Sequence, residues 1–182
     1  MPPVFDWQPR LEGPLLHMRP LTPDDWAPLY AAGSDPQVWA AHPASDRWQE
    51  PVFRAYFEDR LASGGALVAL DAATGSVIGW SGYSTEFVEP GEVEIGWTFL
   101  ARDYWGGAYN GEMKRLMLAY AFRFVDRVIL RIGETNGRSR RAAEKIGARL
   151  QPGRLGDEPM PGVVHVFYAV EKADFLATQD RA

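Results

Sequence analysis

Hydrophobic and polar positions along this chain follow two periods, and the period changes at proline and glycine. LLHMRPL (15–21) alternates as a half-buried strand does. TPDD (22–25) then supplies a Thr N-cap, Pro at the first helical position and early acids, predicting a helix through about Gly33. Ser34, Asp35 and Pro36 mark another helix start. PVFRAYFEDRLAS (51–63) puts Phe53, Tyr56, Phe57 and Leu61 on one face and closes at Gly64 and Gly65. ALVALD (66–71) and SVIGWSGYSTEF (76–87) read as two strands joined by AATG, and EVEIGWTFL (92–100) alternates again after Pro90 and Gly91.

Beyond the turn ARDYWGGAYN the period returns to that of a helix. Met113, Leu116, Met117, Tyr120 and Phe124 line one face of the run Gly111 to Phe124. DRVILRIG (126–133) predicts a strand, and a short helix follows from about Asn136 to Ile146. GARLQPG (147–153) and VVHVFYAVEK (163–172) supply two last strands around a Pro- and Gly-rich loop at 152–162. The order predicts an α/β (α+β) domain with a mixed, mostly antiparallel sheet of six or seven strands flanked by helices. Residues 1–13 read as an N-terminal arm, packing through Phe5 and Trp7, and 14–182 as one domain.

Composition narrows the function more than the fold. The 182 residues include no cysteine, which excludes a thiolate nucleophile, a disulfide framework and a cysteine-bound metal. His17, His42 and His165 are scattered, so no metal is expected. No apolar run reaches membrane-spanning length and the start lacks a signal-peptide pattern, so the expected location is cytoplasmic, away from membranes. The net charge of −5 argues against nucleic-acid binding, yet residues 114–154 carry eleven Lys and Arg against three acids. That basic segment follows a glycine turn, a pairing suited to a small polyanion such as a nucleotide.

YWGGAYNG (104–111) is a strand-to-helix turn. Unpaired backbone N–H groups and the helix dipole favour an anion there, and glycine permits its close approach. It matches neither the P-loop pattern G-x-x-x-x-G-K-[ST] nor G-x-G-x-x-G, which excludes the common nucleotide triphosphatases. The turn resembles the [QR]-x-x-G-x-[GA] motif of the GNAT superfamily of acetyl-CoA-dependent N-acyltransferases, with Trp105, Gly106, Gly107, Ala108, Tyr109 and Asn110 in its places. Trp105 in the first slot looks like the branch that includes the ribosomal-protein alanine N-acetyltransferases. Ala108 stands where glycine is usual, so ordinary helical φ is expected there, and Asn110 stands where a small residue is usual.

Two further stretches carry the resemblance, which spans roughly residues 14–172. GETNGRSRRAAEKIGARL (133–150) is similar to the family's N-x-x-S segment ending in K-x-G, with Asn136, Ser139, Lys145 and Gly147 in those places. EVEIGWTFL corresponds to the strand that, in the family, parts from its neighbour and binds the pantetheine arm through its backbone. The resemblance implies acetyl-CoA as co-substrate, held by Trp97, Thr98, Phe99, Trp105 to Gly111, Asn136, Arg138, Ser139 and Lys145. Bland readings stand beside these: Asn136 as an N-cap, and Trp97 and Phe99 as strand core.

The implied reaction is acetyl transfer to a primary amine, on a small molecule or a peptide N-terminus, by direct attack. An alkylammonium with a pKa near ~10 needs a proton acceptor, for which Glu94 is the first candidate and Glu92 the second; each is equally readable as an exposed strand carboxylate. The family's general-acid tyrosine position holds Ala143, so Ser139 becomes the candidate proton donor, with a helix-cap role as its alternative. Tyr109 is an outside candidate. The acceptor is expected to enter between the N-terminal helices and the loop before the last strand, with Trp26, Trp39, Trp48 and Trp80 as aromatic candidates and the surrounding acidity favouring a cationic amine. A homodimer is a family-level expectation. The altered turn and vacant tyrosine leave a non-catalytic acyl-CoA-binding or sensor domain as the alternative function.

Overall fold

The computed structural model describes residues 4–157 and 160–179. Its sheet contains eight strands: β1 (Leu11–Glu12), β2 (Leu16–Pro20), β3 (Ala66–Asp71), β4 (Val77–Ser84), β5 (Glu92–Leu100), β6 (Arg127–Gly133), β7 (Arg149–Gly156) and β8 (His165–Glu171). The order is β1-β2-β3-β4-β5-β6-β8-β7, and every neighbouring pair is antiparallel except β5 with β6. The strand beyond the six or seven expected is β1, which draws the last residues of the supposed arm into the sheet. Two residues are too short to show a period. Upstream, Phe5 packs among Trp7, Tyr83, Tyr120 and Phe124, with ring centroids 4.5–5.4 Å apart.

Helices cover both faces. On one lie α1 (Trp26–Gly33), α2 (Pro36–Trp39) and α3 (Glu50–Ala62), which bury Leu29, Trp39, Phe53, Tyr56 and Phe57 against Val68, Trp80 and Phe99 of the sheet. Asp35 caps α2 by accepting the Gln37 N–H at 2.9 Å, as the Ser-Asp-Pro start implies. The other face is covered by α4 (Tyr109–Ala121), α5 (Gly137–Lys145) and α6 (Lys172–Gln179). There Met113, Met117, Leu118 and Ala121 of α4 meet Tyr83, Val93, Ile95, Val128 and Tyr168. Burying one such side chain stabilises the fold by about 1.5–3 kcal/mol, so this stripe fixes the α4 axis and the position of its N-terminus.

Two of the four candidate acceptor tryptophans, Trp39 and Trp80, are buried in the α1–α3 core, and Trp26 stacks on Tyr30 at 5.4 Å. Trp48 alone of the four is exposed. Among the described residues, no helix is long and apolar enough to cross a membrane, and no three His, Asp or Glu side chains gather where they could hold a metal.

Candidate active site

The site begins with a failure of strand pairing. Strands β5 and β6 run parallel and pair only over Glu92–Arg127, Val93–Val128 and Glu94–Ile129. Past Glu94, β5 keeps to β4 while β6 keeps to β8, so a gap opens toward the C-terminal ends of both strands. The helices that follow them, α4 and α5, begin at its mouth.

A bulge in β5 accompanies the parting. Trp80 pairs with Phe99 and Gly82 with Gly96, leaving Ser81 opposite both Trp97 and Thr98. Trp97 has φ +57°, the sole described non-glycine residue with positive φ. For a bulky side chain that conformation costs about 1–3 kcal/mol and persists where the surroundings enforce it. Here the Tyr56 hydroxyl donates to the Trp97 carbonyl at 3.2 Å, and the Arg60 guanidinium lies over the indole at 4.2 Å. Trp97 is therefore a bulge residue rather than plain strand core, whereas the Phe99 side chain is buried core and has only its backbone to offer a ligand.

Under the bulge sits a residue that sequence reasoning missed. Lys114, on the buried face of α4, donates from Nζ to Ser81 Oγ at 3.2 Å and to Thr98 Oγ1. Ser81 and Thr98 are themselves hydrogen-bonded at 2.7 Å, and Ser81 also donates to the Gly96 carbonyl at 3.3 Å. Burial pulls the Lys114 ammonium down to about 7, with Glu94 partly offsetting it. The available signal was helical spacing: Lys114 shares the stripe of Leu118 and Ala121 at i+4 and i+7.

Glu94 is the last residue of β5 to pair with β6 and is 2% exposed. Its Oε2 accepts from Arg131 Nε at 3.0 Å, yet burial outweighs the arginine and raises its carboxyl above the usual range. Glu92 differs. Arg154 grips both its oxygens at 2.9 and 2.7 Å; these bonds, the Glu89 amide and Arg127 overcome its burial and hold its carboxyl low. Neither carboxylate is an exposed strand acid.

At the mouth, Trp105 ends the approach from β5. Its indole N–H donates to the Leu100 carbonyl at 2.8 Å, and Arg138 stacks over its ring at 4.0 Å while donating to the Val38 carbonyl at 2.8 Å. Trp105 and Arg138 thus brace the turn from the side. Gly106 has φ +71°, which an L side chain adopts at a cost, and a Cβ added at Gly106, Gly107 or Gly111 would meet nothing within 4 Å. Ala108 has φ −82° and ψ −11°, the ordinary helical geometry expected of it. The first bond of α4 runs from the Glu112 N–H to the Ala108 carbonyl, so the amides of Ala108, Tyr109, Asn110 and Gly111 have no partner within the helix. An open glycine surface over such amides fits a pyrophosphate.

The Tyr109 hydroxyl is committed to Asp71 Oδ2 at 2.8 Å, a bond that raises its own pKa and lowers that of Asp71. It offers no proton to the gap. Asn136 caps α5 by accepting the Ser139 N–H at 3.2 Å, so its cap reading is observed. Among the described residues the Ser139 hydroxyl has no protein partner. Lys145 is exposed in the last turn of α5, and Ala143 is buried.

This fold has known counterparts. A family model for the acetyltransferase (GNAT) domain matches residues 16–149. A GCN5-related N-acetyltransferase from Brucella melitensis superposes with TM-score 0.80 at 21% identity, over 95% of this chain and 83% of that one. Mycobacterium smegmatis RimJ, solved with CoA-disulfide, gives TM-score 0.71 at 16% identity over 97% of each chain. An acetyltransferase from Agrobacterium tumefaciens gives 0.69 at 24%, over 90% and 95%. The chain belongs to the GNAT acetyltransferase family, and its fold is the one these proteins share.

Proposed function

We propose that the chain moves an acetyl group from acetyl-CoA to a primary amine, on a small molecule or a peptide N-terminus, by direct attack. The observation that carries this reading is the parting of β5 from β6 immediately past Glu94, with two helix N-termini at the opening. In this reading the turn from Trp105 to Gly111 holds the pyrophosphate through backbone amides. The bulged backbone of Trp97, Thr98 and Phe99 lines the pantetheine path, and Asn136, Arg138, Ser139 and Lys145 border it from α5. Acetyl-CoA supplies the activated thioester.

The chain's own groups then manage protons. Burial makes the Glu94 carboxylate a stronger base than a solvated one, while Arg131 keeps the ionised form accessible. Glu94 takes the ammonium proton, directly or through water, so that the amine is neutral when it attacks. Ser139, whose hydroxyl has no partner among the described residues, passes a proton to the departing thiolate and takes in its place the proton that the attacking nitrogen loses as the amide forms.

Thermal stabilisation by acetyl-CoA tests the binding half, because a ligand that binds only the native state raises the melting temperature. Thiol release on presenting a panel of amines tests the transfer half. Stabilisation with no thiol release from any amine would leave an acyl-CoA-binding module; absence of both would remove the cofactor reading itself.

A further inference from the structure

The loop from α2 to α3 brings two N–H donors into contact. His42 Nδ1 accepts the Ala44 N–H at 2.9 Å, which leaves its ring proton on Nε2 in the neutral imidazole. Arg47 Nη1 stands 3.3 Å from that Nε2. Two N–H donors therefore face one another. His42 is kept neutral, its pKa pushed to about 3 by burial and then by Arg47, His165 and Arg138. Among the described residues, no carboxylate lies within ion-pair distance of Arg47, whose guanidinium carbon lies over the Tyr56 ring at 3.7 Å.

The surroundings place this pair at the strand gap. Pro43 packs on Gly133 at the end of β6, where an added Cβ would lie 2.7 Å from its ring, and Gly133 pairs in register with His165. His165 is buried, at 9% exposure, and its Nδ1 has no hydrogen-bond partner. A buried polar atom left so costs about 1–3 kcal/mol. Tyr56, under Arg47, is the same residue that holds the Trp97 carbonyl.

We propose that His42 and Arg47 seat a carboxylate of the acceptor, with His165 completing the polar lining, so that the preferred substrates are amines that also carry a carboxylate. This rests on the reading of the chain as an amine acetyltransferase and names the acceptor class for it. An oxygen lying beside both donors, which stand 3.3 Å apart, would accept from each, and the carboxylate charge would answer an arginine that has no acidic partner among the described residues. This narrows the expected cationic amine to one that also carries a carboxylate.

The test uses matched probes: α-, β- and γ-amino acids and dipeptides, each beside its primary amide, with thiol release as the readout. At least one acid is expected to exceed its amide in kcat/KM by about tenfold or more. Arg47→Met is expected to collapse that ratio toward one, and Arg47→Lys, which keeps the charge, to retain part of it. Amides equal to acids throughout would overturn the proposal, as would an Arg47→Met enzyme that loses rate on both while keeping the ratio. If no probe is turned over although acetyl-CoA binds, thermal stabilisation of the CoA-loaded protein decides instead. Acids protecting better than amides, with the difference lost in Arg47→Met, supports the seat. Equal protection, or protection by inorganic phosphate alone, overturns it. Failure of acetyl-CoA itself to stabilise the protein counts against the parent reading and is recorded separately.

Discussion

The turn at the mouth of the gap and the floor beneath it are built from different materials. The turn presents backbone: glycines over open space, helix amides without intrahelical partners, and side chains such as Trp105 that brace it rather than reach the ligand. The floor presents side chains drawn from four elements: Ser81 of β4, Glu94 and Thr98 of β5, Lys114 of α4 and Arg131 of β6, nearly all buried. A backbone site tolerates exposure because its donors are fixed by the helix. A side-chain site needs burial to sharpen its electrostatics, and burial makes each charge there costly. Substitutions should therefore act on binding at the mouth, and on turnover and pH behaviour at the floor.

The largest separation is expected from Glu94→Gln. If Glu94 accepts the ammonium proton, kcat should fall by about 10²- to 10⁴-fold, with the KM for acetyl-CoA within about twofold of wild type. Steady-state kinetics over a pH series decides: an unchanged kcat at every pH removes Glu94 from the mechanism. A melting curve belongs beside it, because neutralising Glu94 removes the carboxylate from a buried ion pair with Arg131, and breaking a buried pair outright destabilises by about 3–5 kcal/mol.

Lys114→Met probes the cost of burial at the floor. The folded-state ammonium titrates near 7 against the ordinary 10.5, so the native state binds fewer protons than the unfolded chain between those values. Wild-type stability should accordingly rise with pH from about 7 upward, and the penalty should be fully present below 7. The variant lacks this titration. Its stability relative to wild type should be highest below pH 7 and should decline by on the order of 2–3 kcal/mol between pH 7 and pH 9.5. Denaturant midpoints at three pH values measure it; a pH-independent difference would mean that Lys114 is not titrating in this window.

Gly107→Ala addresses the mouth. Its φ is not in the left-handed region and a Cβ would meet nothing within 4 Å, so the melting temperature should stay within about 2 °C, a surface-level change. The methyl would nevertheless stand where a pyrophosphate approaches the amides. The KM for acetyl-CoA should rise about tenfold with kcat little changed, and an unchanged KM would place the phosphates elsewhere.

The same contrast explains what could be read from the chain. Period, caps and glycine pointed to the turn, the starts of α1 to α5 and seven of the strands, because each rests on residues close in sequence; α6, after the last strand, was not anticipated. The Ala108 geometry followed from the cost of positive φ in an L residue. The bulge did not follow, since the residue at φ +57° is a tryptophan, enforced by Tyr56 and Arg60 from α3. Lys114 hid in an apolar stripe. The His42–Arg47 pair became meaningful only when Pro43 met Gly133 and brought the loop beside His165. Such sites belong to tertiary contact, and spacing along the chain does not encode them.

Ser139→Ala should have the smallest effect and is informative for that reason. The cap of α5 depends on the Asn136 side chain and the Ser139 backbone N–H, both of which survive the change, so stability should move by no more than about 0.5 kcal/mol. Among the described residues the hydroxyl has no protein partner to lose. Any loss of turnover then reports on the departing thiolate alone. A coenzyme A thiolate is a stable leaving group compared with an alkoxide, so the expected fall in kcat is only about threefold at neutral pH. An unchanged kcat would retire Ser139 as proton donor and show that the vacancy at Ala143 needs no replacement. A fall beyond about a hundredfold, with stability intact, would mean that protonation limits the reaction and that the α5 N-terminus shares the chemistry assigned to the floor.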